Sequence, residues 1–212
     1  LVFLMTNTVA ADETIAPNAI IIDIGTNTIL MEKNSHELIQ PASMSKLMLL
    51  YILFERLSDG GLAMDDTFPV SEKAWRMGGS KMFVRVNTRV TVDDLINGII
   101  VQSGNDACIV VAEALSSSES AFAQLMTERA FELGLKESFF KNSTGWPEEG
   151  HLMSVADIAK LATMIIKDFP NSFSKSTTTR PLQNLPVGRF RYCSRSGSRS
   201  KHGKRKSFLN NI

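Results

Sequence analysis

Ser43 and Lys46, three residues apart, are the first side chains in this sequence that could carry covalent chemistry. Lys46 is the only charge between Ala42 and Phe54, and its neighbours are Leu, Met and Ile. An amine in such a setting loses hydration, which pushes its pKa down and makes the neutral base accessible. Positions i and i+3 of a helix share a face, so the hydroxyl and the amine meet. Ser43 also falls on a first helical turn, where free backbone N–H groups and the positive dipole end favour a developing oxyanion. A weak nucleophile, an adjacent base and an anion-stabilising helix start suit acyl transfer. The Ser-x-x-Lys string is not specific by itself, because it also begins at Ser138, Ser172 and Ser198. Only at Ser43 does it open an apolar helix, with Pro41 fixing the start. On these residues alone, a capping serine and a snorkelling lysine also account for the pair.

A second constellation lies in Val101-Gln-Ser-Gly-Asn-Asp106, which joins two predicted helices. Ser-x-Asn occurs once in the chain, and it places Ser103 and Asn105 in a tight inter-helix turn. The hydroxyl could relay a proton and the carboxamide could orient a substrate amide. The local alternative is that Asn105 or Asp106 caps the following helix.

The elements that must position these groups follow from periodicity and caps. Ala19 to Ile24 and Ile29 to Glu32 read as two strands around a Gly/Asn turn, hence a hairpin. Ser43 to Arg56 is apolar on nearly all sides and too long for a strand. It stops at Asp59-Gly-Gly61, as a buried helix would. Thr91-Val-Asp-Asp94 caps a second helix through about Val101, and Asn105-Asp106 opens a third through about Leu115. A fourth runs from about Ser120 to Leu133. Ser154-Val-Ala-Asp157 is a capping box for a last helix, Ile158 to Lys167. A hairpin followed by helices predicts an α/β chain whose sheet is unfinished within these residues.

Together the two strings resemble the penicillin-recognising serine acyl enzymes, whose signature is S-x-x-K, then S-x-N, then K-T-G. More closely, the chain resembles the low-molecular-mass penicillin-binding proteins that are D-alanyl-D-alanine carboxypeptidases. Pro41-Ala-Ser-Met-Ser-Lys46, Gly79-Ser-Lys-Met-Phe83, Leu95 to Ala107 and Asn142-Ser-Thr-Gly-Trp-Pro147 all read like that family, over roughly residues 15–170. The resemblance implies a β-lactamase/transpeptidase-like fold, an antiparallel sheet flanked by helices with a helical subdomain. It implies Ser43 as the acylated nucleophile, Lys46 as its base, Ser103 as proton relay and Asn105 as substrate-binding residue. The implied substrate is the D-Ala-D-Ala end of peptidoglycan stem peptides, with β-lactams as covalent mimics and no metal or organic cofactor. A β-lactamase of the same fold is disfavoured by the lack of a Glu-x-x-Leu-Asn string. A non-catalytic or degenerate penicillin-binding-like protein stays open.

Two departures from the family pattern shape the expected domains. K-T-G is absent, so the sheet is expected to be incomplete and activity impaired. Ser143-Thr-Gly145 lacks a cation and belongs to another motif. Arg195-Ser-Gly197 offers a cation without strand-like flanks. The charge also changes sign: all 22 acidic residues lie at or before Asp168, and residues 171–212 hold ten Lys and Arg. With 13 Lys and Arg in residues 1–170, the two parts carry −9 and +10. We therefore read residues 12–170 as the N-terminal part of a catalytic domain. Residues 171–212 read as a basic, disordered tail unlike the family, introduced by a truncation or frame slip. Val9-Ala-Ala11 before Asp12 fits a signal-peptidase site, so residues 1–11 read as a partial signal peptide and the protein as periplasmic or otherwise extracytoplasmic.

Composition narrows the classes further. The 212 residues are 43% hydrophobic and 21% charged, which is ordinary globular usage. Two cysteines, Cys108 and Cys193, cannot form a disulfide framework or an unaided zinc site. The longest apolar run, Leu47 to Phe54, is far short of the ~20 residues that span a bilayer, and no membrane-anchoring segment is expected in the chain. The basic tail lacks an aromatic stacking array, so nucleic acid is not an expected partner.

Overall fold

A computed structural model describes residues 14–172. The expected partial signal peptide at residues 1–11 and the Arg195-Ser-Gly197 triplet lie outside the described residues, as does nearly all of the expected tail at 171–212. The predicted hairpin forms from β1 (Ala19–Asp23) and β2 (Thr28–Lys33), antiparallel with Ala19 opposite Lys33. A bulge between Ile21 and Ile22 shifts the register. The turn closes on Asp23, whose carboxylate accepts from the Thr26 amide at 2.6 Å and the Thr26 hydroxyl at 2.8 Å. Asn27, at φ +58, supplies the left-handed residue that such a turn needs. Ile21, Ile29 and Leu30 on this hairpin are exposed.

The apolar helix is α1 (Lys46–Ser58), and every residue from Met48 to Phe54 is buried. It is the axis of the core: α4 (Asn105–Leu115), α5 (Glu119–Glu132) and α6 (Val155–Asp168) lie against it, and α6 also covers β1. Each large aliphatic or aromatic side chain buried there contributes about 1.5–3 kcal/mol. The helix end is tied to α5 by Glu55, which receives the Arg129 guanidinium in a fork, and to α6 by Tyr51, whose hydroxyl donates to Asp168 at 3.1 Å. Tyr51 also meets the Phe169 ring edge-on at 5.2 Å.

The sequence places the start of this helix at Ser43, and here the structure differs. Ala42–Ser45 form a 3-10 turn, and α1 proper begins at Lys46. The tighter winding follows from local bonds across three residues: the Met44 amide donates to the Pro41 carbonyl, and the Ser45 hydroxyl to the Ala42 carbonyl.

The remaining helices follow their caps. Thr91, Ser118 and Ser154 each accept from the amide three residues on, opening α3 (Val92–Gln102), α5 and α6. The last of these starts at Val155 rather than Ile158, because the Ser154 cap closes on the Asp157 amide and makes residues 155–157 its first turn. Two strands and one helix were not legible in the sequence. The strands β3 (Thr67–Pro69) and β4 (Arg89–Thr91) pair antiparallel, with α2 (Glu72–Arg76) between them in the chain. Strands of three residues are too short to show alternation. Among the described residues the sheets are two antiparallel pairs, consistent with the expected unfinished sheet.

Candidate active site

Ser43 lies on the exposed side of the 3-10 turn, whereas Lys46, at its foot, is 4% exposed. The Lys46 Nζ donates to the Ser43 Oγ at 3.1 Å and to the Thr144 carbonyl at 2.6 Å. Burial pushes the Lys46 ammonium below its ordinary value, and the Cys108 thiol facing it from α4 acts in the opposite direction. Cys108 is itself fully buried, and that burial pushes its thiol up to about 12. The apolar setting read from the sequence is therefore present, with a carbonyl added that the sequence did not announce.

That carbonyl belongs to a loop, residues 142–146, built around one side chain. The Asn142 Oδ1 accepts from the Thr144 amide and hydroxyl, the Gly145 amide at 2.9 Å and the Trp146 amide at 3.1 Å. Ser143 is anchored separately, its hydroxyl donating to Glu119 at 2.9 Å and its amide at 3.3 Å. Gly145 then lies flat against the Ala42–Ser45 turn. At φ +81 it occupies the left-handed region, and a Cβ there would stand 1.9 Å from the Ala42 carbonyl oxygen. No residue with a side chain fits without moving the turn that carries Ser43.

Of the second constellation, Asn105 reaches the same loops. Ser103 ends α3 in the left-handed conformation, φ +53, and its Oγ is buried with no hydrogen-bond partner among the described residues. Asn105 is the first residue of α4. Its amide donates to the Ser80 carbonyl at 2.7 Å and its Nδ2 to the Gly78 carbonyl at 3.0 Å. Asp106 holds the adjoining segment, accepting from the Met82 amide at 2.9 Å, the Val84 amide at 3.1 Å and the Ala107 amide at 3.0 Å. The two motifs are linked through Trp146. A Cβ on Gly79 would lie 2.7 Å from the Asn105 Nδ2 and 2.9 Å from the Trp146 ring, while the adjacent Gly145 abuts Ala42. So Ser43 and Lys46, on the α1 side, and Asn105, on the α4 side, border one set of loops. Ser143-Thr-Gly145 serves that set as a backbone support, not as a cation-bearing triplet.

Sequence reasoning named Ser43, Lys46, Ser103 and Asn105 and missed Thr144, Gly145, Asp106 and Glu119. The signal available for the first two was the Asn142-Ser-Thr-Gly-Trp-Pro147 string, which carried a resemblance but no role. Nothing local marks a carbonyl 98 residues from the lysine that it binds.

Among the described residues, no group of three or more His, Cys, Asp and Glu side chains is placed to hold a metal ion. No described helix is long and apolar enough to cross a membrane.

A family model described as D-alanyl-D-alanine carboxypeptidase, Peptidase_S11, matches residues 5–192. The chain is 42% identical over 152 residues to the D-alanyl-D-alanine carboxypeptidase DacF of Bacillus subtilis, covering 72% of this chain and 39% of that one. Its fold matches the crystal structure of the D-alanyl-D-alanine carboxypeptidase DacD from Francisella tularensis with a TM-score of 0.75. Identity there is 37%, over 76% of this chain and 39% of the other. Penicillin binding protein 5 from Haemophilus influenzae gives the same TM-score at 32% identity, over 78% and 49% of the two chains. The chain thus spans about two fifths of the length of the curated relative that it matches.

Proposed function

The chain belongs to the D-alanyl-D-alanine carboxypeptidase family Peptidase_S11, and from that premise we propose that it forms an acyl-enzyme on Ser43 with the D-Ala-D-Ala end of peptidoglycan stem peptides. The observation that carries the reading is the buried Lys46 amine, 3.1 Å from an exposed Ser43 hydroxyl. Lys46, held below its ordinary ionisation range by burial, takes the Ser43 proton as the Oγ attacks the penultimate D-alanine carbonyl. The new Oγ–C bond forms while the C–N bond to the terminal D-alanine breaks. The proton reaches the departing amine through Ser103, whose buried hydroxyl is unpartnered among the described residues. An unpaired buried hydroxyl costs about 1–3 kcal/mol, a cost relieved when a bound group supplies its partner. Water then hydrolyses the ester, with Lys46 again as base.

Asn105, fixed by the Gly78 carbonyl, holds the stem peptide, and the Ser43 amide supplies one oxyanion donor. The 212 residues contain no Lys-Thr-Gly to supply the second donor and a cation for the substrate carboxylate. The activity of these residues alone is accordingly impaired. β-Lactams acylate the same serine, and the site works outside the cytoplasmic membrane, where its substrate is.

Labelling with a fluorescent penicillin, followed by mass-spectrometric mapping, tests this. A slow adduct on Ser43 that disappears in Ser43→Ala is expected. An adduct on another residue, or labelling unchanged in Ser43→Ala, overturns the assignment.

A further inference from the structure

We propose that Glu119 is a positioning residue for the Lys46 amine, acting through Ser143 and the Thr144 carbonyl; this rests on Lys46 being the base. Glu119 opens α5, and its side chain is 11% exposed. One carboxylate oxygen accepts both the hydroxyl and the amide of Ser143, and the other receives the Lys73 ammonium at 2.6 Å. The next carbonyl along the chain, that of Thr144, is the one that accepts from Lys46. Ser143 is fully buried and Thr144 is 2% exposed. Three elements therefore converge behind the amine: α2 through Lys73, α5 through Glu119, and the 142–146 loop.

Neither helix capping nor ion pairing accounts for a buried carboxylate at this position. The start of α5 is already capped by Ser118, whose hydroxyl accepts from Ala121 at 3.1 Å. Lys73 is more than half exposed, so its ion pair with Glu119 adds little stability. Taking a carboxylate out of water is expensive unless its oxygens are well paired. What the arrangement delivers is geometry. A neutral lysine amine has two N–H bonds and one lone pair. Committing one N–H to the Thr144 carbonyl fixes rotation about Cε–Nζ and leaves the lone pair free to face the Ser43 hydroxyl. With the loop released, the amine turns and water reaches it. Misplacing a reacting group by about 1 Å can cost on the order of 10² in rate.

The test reads Lys46 itself, without any turnover. Protein carrying ¹³Cε-lysine is titrated by NMR, and the Lys46 signal is assigned by its loss in Lys46→Arg. The groups facing this amine are the Ser43 hydroxyl from its own turn, the Thr144 carbonyl from the loop and the Cys108 thiol from α4. Glu119→Ala and Ser143→Ala each let water in and raise the Lys46 midpoint by about half a pH unit or more, back toward the free-amine value. Glu119→Gln removes the charge but keeps an acceptor for Ser143, and it leaves the midpoint within about 0.2 units of the parent. Unchanged midpoints in the Ala variants overturn the proposal. So does a Gln variant that shifts as far as Ala in either direction, since an acceptor for Ser143 would then not be what holds the amine; a shared downward shift in particular is the loss of a nearby anion through space. Should Glu119→Ala fail to fold, Ser143→Ala and Glu119→Gln decide between the same outcomes. Failure of Ser43 to take up penicillin would count against the acyl-transfer reading and leave this titration standing.

Discussion

Replacing Gly145 by alanine isolates how much of the Ala42–Ser45 turn is held by contact from behind. Two costs separate cleanly. The backbone sits at φ +81, and an L-residue in the left-handed region costs roughly 1–2 kcal/mol. The added Cβ would also stand 1.9 Å from the Ala42 oxygen and 2.5 Å from the Ser45 Oγ. Overpacking of this kind costs typically about 1–3 kcal/mol. Gly60 supplies the control, because it has φ +75 but nothing within 4 Å of the place a Cβ would take. Gly60→Ala should therefore show the conformational cost alone. In urea unfolding, with a slope of about 2 kcal/mol/M, Gly60→Ala should lower the midpoint by roughly 0.5–1 M. Gly145→Ala should lower it by a further 0.5–1.5 M or so.

The clash also pushes Ala42, and with it Ser43, off its alignment with Lys46. Acylation by penicillin should then fall by on the order of 10² in Gly145→Ala and remain unchanged in Gly60→Ala. Equal midpoint shifts in the two variants, with equal acylation rates, would refute the contact argument. Ala42, at φ +47, is already in the left-handed region and has little freedom to absorb the push.

Other tests address separate parts of the molecule. Acylation of Ser43 should rise with pH along one ionisation whose midpoint lies below 10.5, and Lys46→Arg should nearly abolish it because a guanidinium stays protonated. His151 is buried, its Nε2 has no partner among the described residues, and burial holds its pKa below 6.5. The unfolded chain thus binds the proton first. The stabilisation is complete above pH 6.5 and is lost as pH falls through the folded value, so the decline in urea midpoint on acidification should be shallower in His151→Gln. Asp106→Asn leaves one oxygen where a carboxylate receives three backbone N–H groups, and equilibrium unfolding should show a loss of about 1.5–3 kcal/mol. Release of D-alanine by these 212 residues, measured by a coupled amino-acid oxidase assay, should rise at least ~10²-fold when a family-like Lys-Thr-Gly strand is appended.

The helices were legible because their ends are written in short side chains. Thr91, Ser118 and Ser154 each precede an acidic or polar first turn, and all three bond as caps do. The apolar run of α1 announced burial on every side, although it could not show that its first residues wind as a 3-10 turn. That detail depends on the bonds from the Met44 amide to the Pro41 carbonyl and from the Ser45 hydroxyl to the Ala42 carbonyl, which an apolar run does not encode. In the candidate site, the approach of Lys46 to Ser43 was readable from spacing, since the pair is local, and so was the place of Ser103 and Asn105 at the α3–α4 junction. The supports were not. Thr144 acts through a backbone oxygen, which no residue type encodes, and Glu119 reads as an ordinary first-turn acid until Ser143 is brought to it. β3, β4 and α2 were missed for a different reason. They are three to five residues long, and pairing between distant stretches of chain defines the strands more than their own pattern does.

The side chain at the centre of the 142–146 loop also determines how the protein ages. An asparagine followed by serine is prone to deamidate, through attack of the next residue's amide nitrogen on the carboxamide carbon. Here the Ser143 amide is committed to Glu119, and the Asn142 Oδ1 is held by the donors around it. The folded loop therefore shelters Asn142, and the reaction proceeds only during moments of opening. Once it occurs it is permanent: the Nδ2 that donated to the Trp146 carbonyl and to Glu148 is gone, and a carboxylate faces Glu148 in its place. The loop cannot close again as before. Stored protein should thus lose function in step with Asn142 deamidation, and the deamidated fraction records how often the loop has opened.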